Sequence, residues 1–211
     1  MKNPDSSELL KPDPFRPGMV LRGLEVSVSD EGELVRGCLA GNADSHRAFV
    51  QRFQSSVFGM CFRMLSHRED AEDVAQEVFL RAFRNLGQWD PERPLSPWLL
   101  TIAVNRCRTW LLTRKRRDLP AEYAENVAHP TAGRMRLDLA EELQLALDGL
   151  REEYRLCFVL YYLNDVSLAE ISSIVGNPEG TVKTWLRRAR KELTEHLQRR
   201  SIAPEVTHAV R

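Results

Sequence analysis

The chain has no apolar run approaching the ~18–20 residues that a membrane span needs. Its opening, MKNPDSSELLKPDPF, lacks the apolar centre of a secretory leader. Nor is there an excess of charge of either sign: 30 basic and 30 acidic side chains give a formal net charge of +0. Glycine and proline number only 11 each in 211 residues, too few for a low-complexity chain. There is no Cys-x-x-Cys pair. The four cysteines, Cys38, Cys61, Cys107 and Cys157, lie far apart, each beside apolar residues. They read as small buried hydrophobes, not as metal ligands or a disulfide framework. The histidines, His46, His67, His129, His196 and His208, are scattered and form no set of nucleophile, base and orienting carboxylate. Val-Thr-Ile alternation is missing, so no sheet is expected. What these absences leave is a cytoplasmic, helical, non-enzymatic protein with no cofactor and no metal.

The neutral total hides segregation. From Glu69 to Glu77 every charge is acidic, and from Thr101 to Arg117 every charge is basic. A second acidic stretch, Asp138 to Glu153, precedes the basic segment Lys183 to Arg200. Screening limits reach to ~8–10 Å at physiological salt, so local charge decides what a surface attracts. Zero net charge therefore does not exclude nucleic acid.

Pro4, Pro12, Pro14 and Pro17 interrupt residues 1–29, which read as a flexible extension. Helical periodicity starts near Glu33 and runs to about Arg117, a first domain over 30–117. Pro120, Pro130 and Gly133 mark a linker over 118–135. Periodicity resumes over 136–200, a second domain, and 201–211 reads as a tail. The fold class expected is all-α: two small helical domains, a bundle and a helix-turn-helix, on a flexible linker.

Three stretches carry more than packing demands. In the first domain, Ala43 to Leu65 has Phe49, Phe53, Val57, Met60, Cys61 and Met64 at core spacing. The helix after it, about Arg68 to Leu86, has its own core stripe of Ala71, Val74, Ala75, Val78 and Ala82. Gln76, Phe79 and Phe83 form a neighbouring stripe, with Asp73, Glu77 and Leu80 on the far side. Apolar residues ringed by carboxylates suit a protein-binding surface. A wide core stripe beside a solvated acidic face fits the same pattern.

The second stretch begins at "SPW", where Ser96 is the expected N-cap and Pro97 the first helical residue. Leu100, Ala103, Val104, Cys107 and Leu111 share its inner face. Its outer face holds Trp98, Thr101, Asn105, Arg108, Thr109, Leu112 and Arg116, an aromatic entrance leading to positive charge. Cations attract phosphate, an aromatic ring stacks an unpaired base, and Asn and Thr read base edges. A basic solvated face with Trp98 packed inward is the alternative.

The third is "SLAEISSIVGNPEGTVKTWLRRARKEL". Ser167 and Glu170 form a capping box, and Leu168, Ile171, Ile174 and Val175 make a buried face. Gly176 suits the left-handed end, Asn177 the next cap and Pro178 the first position after it. Two short helices with a basic outer face on the second make a helix-turn-helix. Lys183, Thr184 and Arg187 are the candidate base readers. Thr181, Arg188, Arg190 and Lys191 are placed for phosphates.

Together these stretches resemble the sigma-70 family of bacterial transcription initiation factors, in its extracytoplasmic function (ECF) group. "DAEDVAQEVFLRAFRNL" is similar to the family's core-polymerase-binding segment in region two. "PWLLTIAVNRCRTWLLTRKRR" resembles the segment that melts and reads the −10 promoter element. The third stretch resembles the region-four helix-turn-helix that reads the −35 element. The resemblance implies that Asp73, Gln76, Glu77, Phe79, Leu80 and Phe83 contact core polymerase. Trp98, Thr101, Asn105, Arg108 and Arg116 are then set against −10 DNA, with the loop Asn85 to Leu95 pocketing a flipped base. Thr181, Lys183, Thr184, Arg187, Arg188 and Lys191 face −35 DNA. Implied partners are core RNA polymerase (its β′ clamp and β flap), promoter DNA and an anti-sigma factor, with no membrane insertion. A stand-alone helix-turn-helix regulator, and a helical enzyme holding a metal on His67 and the Glu69–Glu77 carboxylates, are the competing readings.

Overall fold

The computed structural model describes residues 28–117 and 139–200. The linker, the tail and all but the last two residues of the extension expected from the sequence lie outside the described residues; those two, 28 and 29, already belong to the first helix. The first domain holds α1 (Val28–Leu39), α2 (Ala43–Leu65), α3 (Arg68–Asn85) and α4 (Leu95–Arg117). The second holds α5 (Leu139–Asp148), α6 (Glu152–Phe158), α7 (Leu168–Val175) and α8 (Glu179–Arg199). A π-helical turn, Val159–Leu163, extends α6. Among the described residues there is no strand.

Local chemistry sets most boundaries. The Asn42 side chain accepts from the backbone N–H groups of Asp44 and Ser45, at 2.8 and 3.1 Å, and starts α2. Ser66 ends it in the left-handed conformation, at φ 62°. A Cβ on Gly37 would collide with Ser45, so glycine there is what lets α1 lie close to α2. The core of the first domain joins Phe49, Val57, Met60 and Cys61 of α2 to Val78 and Ala82 of α3 and Leu99, Leu100, Ala103 and Cys107 of α4, all buried. In the second domain Leu147, Leu156, Leu160, Ile171, Val182 and Ala189 do the same.

Two expected caps are corrected. The third stretch's first helix has its capping box, Ser167 with Glu170, and Gly176 at φ 70°. Asn177, however, does not cap α8: its side-chain amide donates to Val175 O at 3.0 Å, and Pro178 holds the N-cap position. Nor does Ser96 cap α4. The helix starts at Leu95, placing Ser96 and Pro97 inside its first turn. The cap is long-range. Leu95 N–H donates to the Glu31 carboxylate of α1 at 2.9 Å.

The two domains also touch, along a polar seam between α2 and α5–α6. Arg63 donates to Gln144 Oε1 at 3.0 Å, and Gln144 donates to Asp148 Oδ1 at 2.9 Å. Ser66 and Arg155 donate to the same Asp148 carboxylate. Further along, Ser56 donates to Asn164 at 2.7 Å.

All four cysteines are free and buried. A hydrogen bond with Cys107 and burial both push the Cys61 thiol up, and burial pushes the Cys157 thiol up to about 12. Burial also raises Cys38. Thiolate is the reactive form. A disulfide reagent such as dithionitrobenzoate should therefore release no colour from the native protein and four equivalents after denaturation. Fast release of even one equivalent from native protein would contradict this packing.

Candidate nucleic-acid interface

On α3 the six predicted residues divide. Asp73, Gln76 and Leu80 are exposed, Leu80 at 56% of its surface, and they share one face. Glu77 is partly covered. It pairs with Arg106 of α4 and, at 3.1 Å, with Arg81. Burial works to raise the Glu77 carboxyl, but the hydrogen bonds from Arg106 and Arg81 outweigh it and hold the group below the usual carboxylate range. Phe79 and Phe83 are half-buried. Their rings lie 6.3 and 5.2 Å from that of Phe49, and His46 covers Phe83 at 4.7 Å. The apolar group standing free on this helix is Leu80.

The acidic residues do not converge. Glu72 pairs with Arg68 at 2.9 Å, Asp70 with Arg114 at 3.6 Å, and Glu77 with its two arginines. Among the described residues no group of His, Cys, Asp and Glu is arranged to hold a metal ion. Each of these carboxylates faces an arginine, which is the geometry of a solvated ion-pair surface and not of a ligand set.

On α4 the inner face is buried at Leu100, Ala103, Val104 and Cys107, while Leu111 is only half-buried. Outside, Asn105, Thr109 and Leu112 are exposed, Leu112 at 60%. Trp98 and Thr101 are half-buried, and Trp98 packs against the core edge. The Thr101 hydroxyl donates to Pro97 O at 2.8 Å, so towards solvent it has only lone pairs to offer. Arg108 is half-buried and close enough to Cys157 of the second domain to lower its thiol against the pull of burial. The side chain of Arg116 lies outside the described residues.

The loop before α4 is tied down. Leu86, Trp89 and Leu95 are buried. Trp89 Nε1 donates to Arg93 O at 3.1 Å, and Asp90 Oδ1 accepts from Glu92 N–H at 3.0 Å. Gly87, Gln88 and residues 90–94 stand exposed between these anchors.

On α8, Val182, Leu186, Ala189 and Leu193 are buried and hold the helix against α6 and α7. Lys183 pairs with Glu179 at 3.7 Å, and Lys191 with Glu195 at 3.8 Å. Thr181 is half-buried at the helix start. Thr184 is half-buried, its hydroxyl donating to Gly180 O at 2.9 Å. Arg188 turns sideways and donates to the buried Tyr154 hydroxyl of α6 at 2.8 Å. Arg187 is exposed, and among the described residues no hydrogen-bond or ion-pair partner meets it. A guanidinium held ready on the outer face of a second helix is suited to bidentate reading of guanine.

Sequence reasoning missed Glu31. The signal was present only as an acid near the start of a short helix, 64 residues from the backbone group it binds.

An exposed acidic helix face, a basic helix with an anchored loop, and a separate helix-turn-helix define a two-domain DNA-recognition protein. Comparison with known proteins narrows the class. The sigma-70 region 2 family matches residues 49–117, and the sigma-70 region 4 family matches residues 140–193. The ECF RNA polymerase sigma factor SigW of Bacillus subtilis is 34% identical over 172 residues, covering 75% of this chain and 91% of that protein. The RNA polymerase sigma-H factor of Pseudomonas aeruginosa is 27% identical over 179 residues, covering 79% and 93%. The sigma factor RpoE of Bartonella quintana, solved with the anti-sigma factor NepR, superposes with a TM-score of 0.61 at 26% identity, covering 72% of this chain and 98% of that one. The chain belongs to the sigma-70 family, in its ECF group. It acts in promoter-specific transcription initiation with RNA polymerase, as a DNA-recognition subunit with no catalysis of its own. That excludes both the stand-alone regulator and the metal enzyme. Among the described residues no helix is long and apolar enough to cross a membrane.

Proposed function

We propose that this chain works in the cytoplasm as a two-handed promoter reader whose surfaces divide by residue as follows. The face of Asp73, Gln76, Glu77 and Leu80, backed by Phe79 and Phe83, docks on the β′ clamp of core polymerase. The outer face of α4, with Trp98, Thr101, Asn105, Arg108 and Arg116, meets the −10 element as it opens. The exposed loop between Leu86 and Leu95 receives a base leaving the stack; unstacking costs a few kcal/mol, offset by the pocket. In the second domain Thr181, Lys183, Thr184, Arg187, Arg188 and Lys191 face −35 DNA, and the β flap receives the domain. Core polymerase holds both readers on one DNA molecule, so neither needs high affinity alone. An anti-sigma factor is the expected regulator, since the Bartonella quintana relative was solved with one.

The observation that carries this reading is the outward, unpaired Arg187 on the second helix of a helix-turn-helix, in one chain with an exposed Leu80 on an acidic helix. The test is run-off transcription from a genomic promoter library with purified core enzyme plus this chain. The chain should confer initiation at a defined set of promoters that core enzyme ignores. Arg187→Ala should weaken discrimination at one −35 base pair by ~1–3 kcal/mol. An equal loss on every promoter would make Arg187 a phosphate contact. No selective initiation at all would sink the whole reading.

A further inference from the structure

One largely covered acid lies outside every surface described so far. Glu31 of α1 has a side chain only 12% exposed, although a carboxylate at that depth needs partners. It has two. One oxygen accepts from Arg52 of α2 at 2.8 Å. The other accepts from the backbone N–H of Leu95 at 2.9 Å. Leu95 is the first residue of α4, where N–H groups have no partner within the helix and the dipole favours negative charge. Pro97 in the same turn has no N–H to give, so Leu95 carries much of that end's need. A charged acceptor makes the bond stronger than a neutral cap. Glu31 also lies before the first residue matched to the sigma-70 region 2 family, residue 49.

The place of this cap matters more than its strength. Leu95 closes the loop that starts at Leu86. Two of the loop's anchors, Leu86 and Trp89, hold by burial. The third is held by burial and by the Glu31 bond, and it fixes the direction in which α4 leaves the loop. Between Trp89 and Leu95 the chain is exposed and stiffened only by the short-range contacts of Asp90 and Arg93.

We propose that Glu31 is a positioning residue for −10 recognition: paired with Arg52, its carboxylate caps α4 at Leu95 and so holds the exposed loop in the shape that receives an unstacked base. This rests on the assignment of that loop as the base-receiving segment. Glu31 touches no base. It acts through Leu95, and its effect falls on selectivity at one promoter position.

The experiment uses the full chain with core polymerase and a promoter recovered from the library, together with templates carrying each substitution at the −10 and −35 positions. Single-round transcription gives a discrimination ratio for every position. Glu31→Ala should reduce the ratio at one −10 position roughly 5- to 10-fold, with polymerase binding and −35 ratios unchanged. Glu31→Gln should stay within about 2-fold of the parent, because its amide oxygen still accepts from Leu95 N–H. A uniform fall on all templates under Glu31→Ala would make the residue merely structural and overturn the proposal. So would a Gln variant as defective as the Ala variant. Should Glu31→Ala fail to fold, Arg52→Ala decides: by releasing the carboxylate it should lower the same ratio about 2- to 3-fold, and no change would overturn the proposal. Gln88→Ala with Asp90→Ala tests the loop itself. If that pair leaves every −10 ratio intact, the loop assignment fails and the proposal falls with it, whatever Glu31→Ala does.

Discussion

Asp73→Arg combined with Leu80→Asp is expected to abolish holoenzyme formation while the protein stays folded. Both side chains are exposed on one face of α3 and neither has a packing role. Surface changes of this kind move stability by only about 0.5 kcal/mol. At an interface the same positions count for far more. A central apolar anchor and a reversed charge together should cost ~2–4 kcal/mol of binding, roughly 30- to 1,000-fold in affinity. Co-sedimentation with core polymerase measures the loss, and circular dichroism checks the helices. Glu77 and Phe83 are poorer choices for this test. Glu77 holds the partly buried Arg106, and the Phe83 ring packs tilted against Phe49, so changing them disturbs the bundle as well as its surface. Normal assembly by the Asp73/Leu80 variant would show that polymerase grips another face.

The second large effect is on stability. Phe49 is fully buried, and its ring meets Phe53 at 5.0 Å as well as Phe83 at 5.2 Å and Phe79 at 6.3 Å. It is the hub that joins α2 to α3. Phe49→Ala removes its own buried surface and leaves a cavity that three neighbouring rings cannot fill without leaving their rotamers. The expected cost is ~3–5 kcal/mol, a large part of the ~5–15 kcal/mol that holds a domain folded. Urea unfolding followed by helical circular dichroism measures it. A cost under ~1 kcal/mol would mean that the aromatic cluster is not the keystone of the first domain. The two variants also separate roles within the first domain: the one on α3 should lose the partner and keep the fold, the one on α2 should lose the fold.

What could be read in advance was whatever is local along the chain. The span Ala43–Leu65 is legible because Phe49, Phe53, Val57, Met60, Cys61 and Met64 recur along it at core spacing. The helix-turn-helix is legible for the same reason, since Ser167, Glu170 and Gly176 act on their immediate neighbours. The order of the three stretches made the family readable as well. Side chains that bond across the fold were not readable. The start of α4 lies two residues before Pro97, the first helical position that Ser96 and Pro97 signal, because its cap comes from another helix. Asn177 has the right identity for a cap, but its amide N–H donates back to Val175 O and its side chain makes no cap bond to α8. Helical periodicity put Phe79 and Phe83 on a stripe of their own, yet it does not say that Phe49 reaches over to cover them. The seam between domains has no sequence signature, because Gln144 and Asp148 look like any polar pair on a helix.

That seam runs beside apolar packing that joins the buried residues of both domains into one cluster. The hydrogen bonds that Ser56, Arg63, Ser66 and Arg155 make across it can each be traded for one to water. Such exchanges change free energy by about 0.5–1.5 kcal/mol for the neutral pair and about 1.5–3 kcal/mol where Arg63, Arg155 or Asp148 takes part. A greasy joint would resist parting and would bare sticky surface once parted. Along its polar part this joint would open onto groups that water can satisfy.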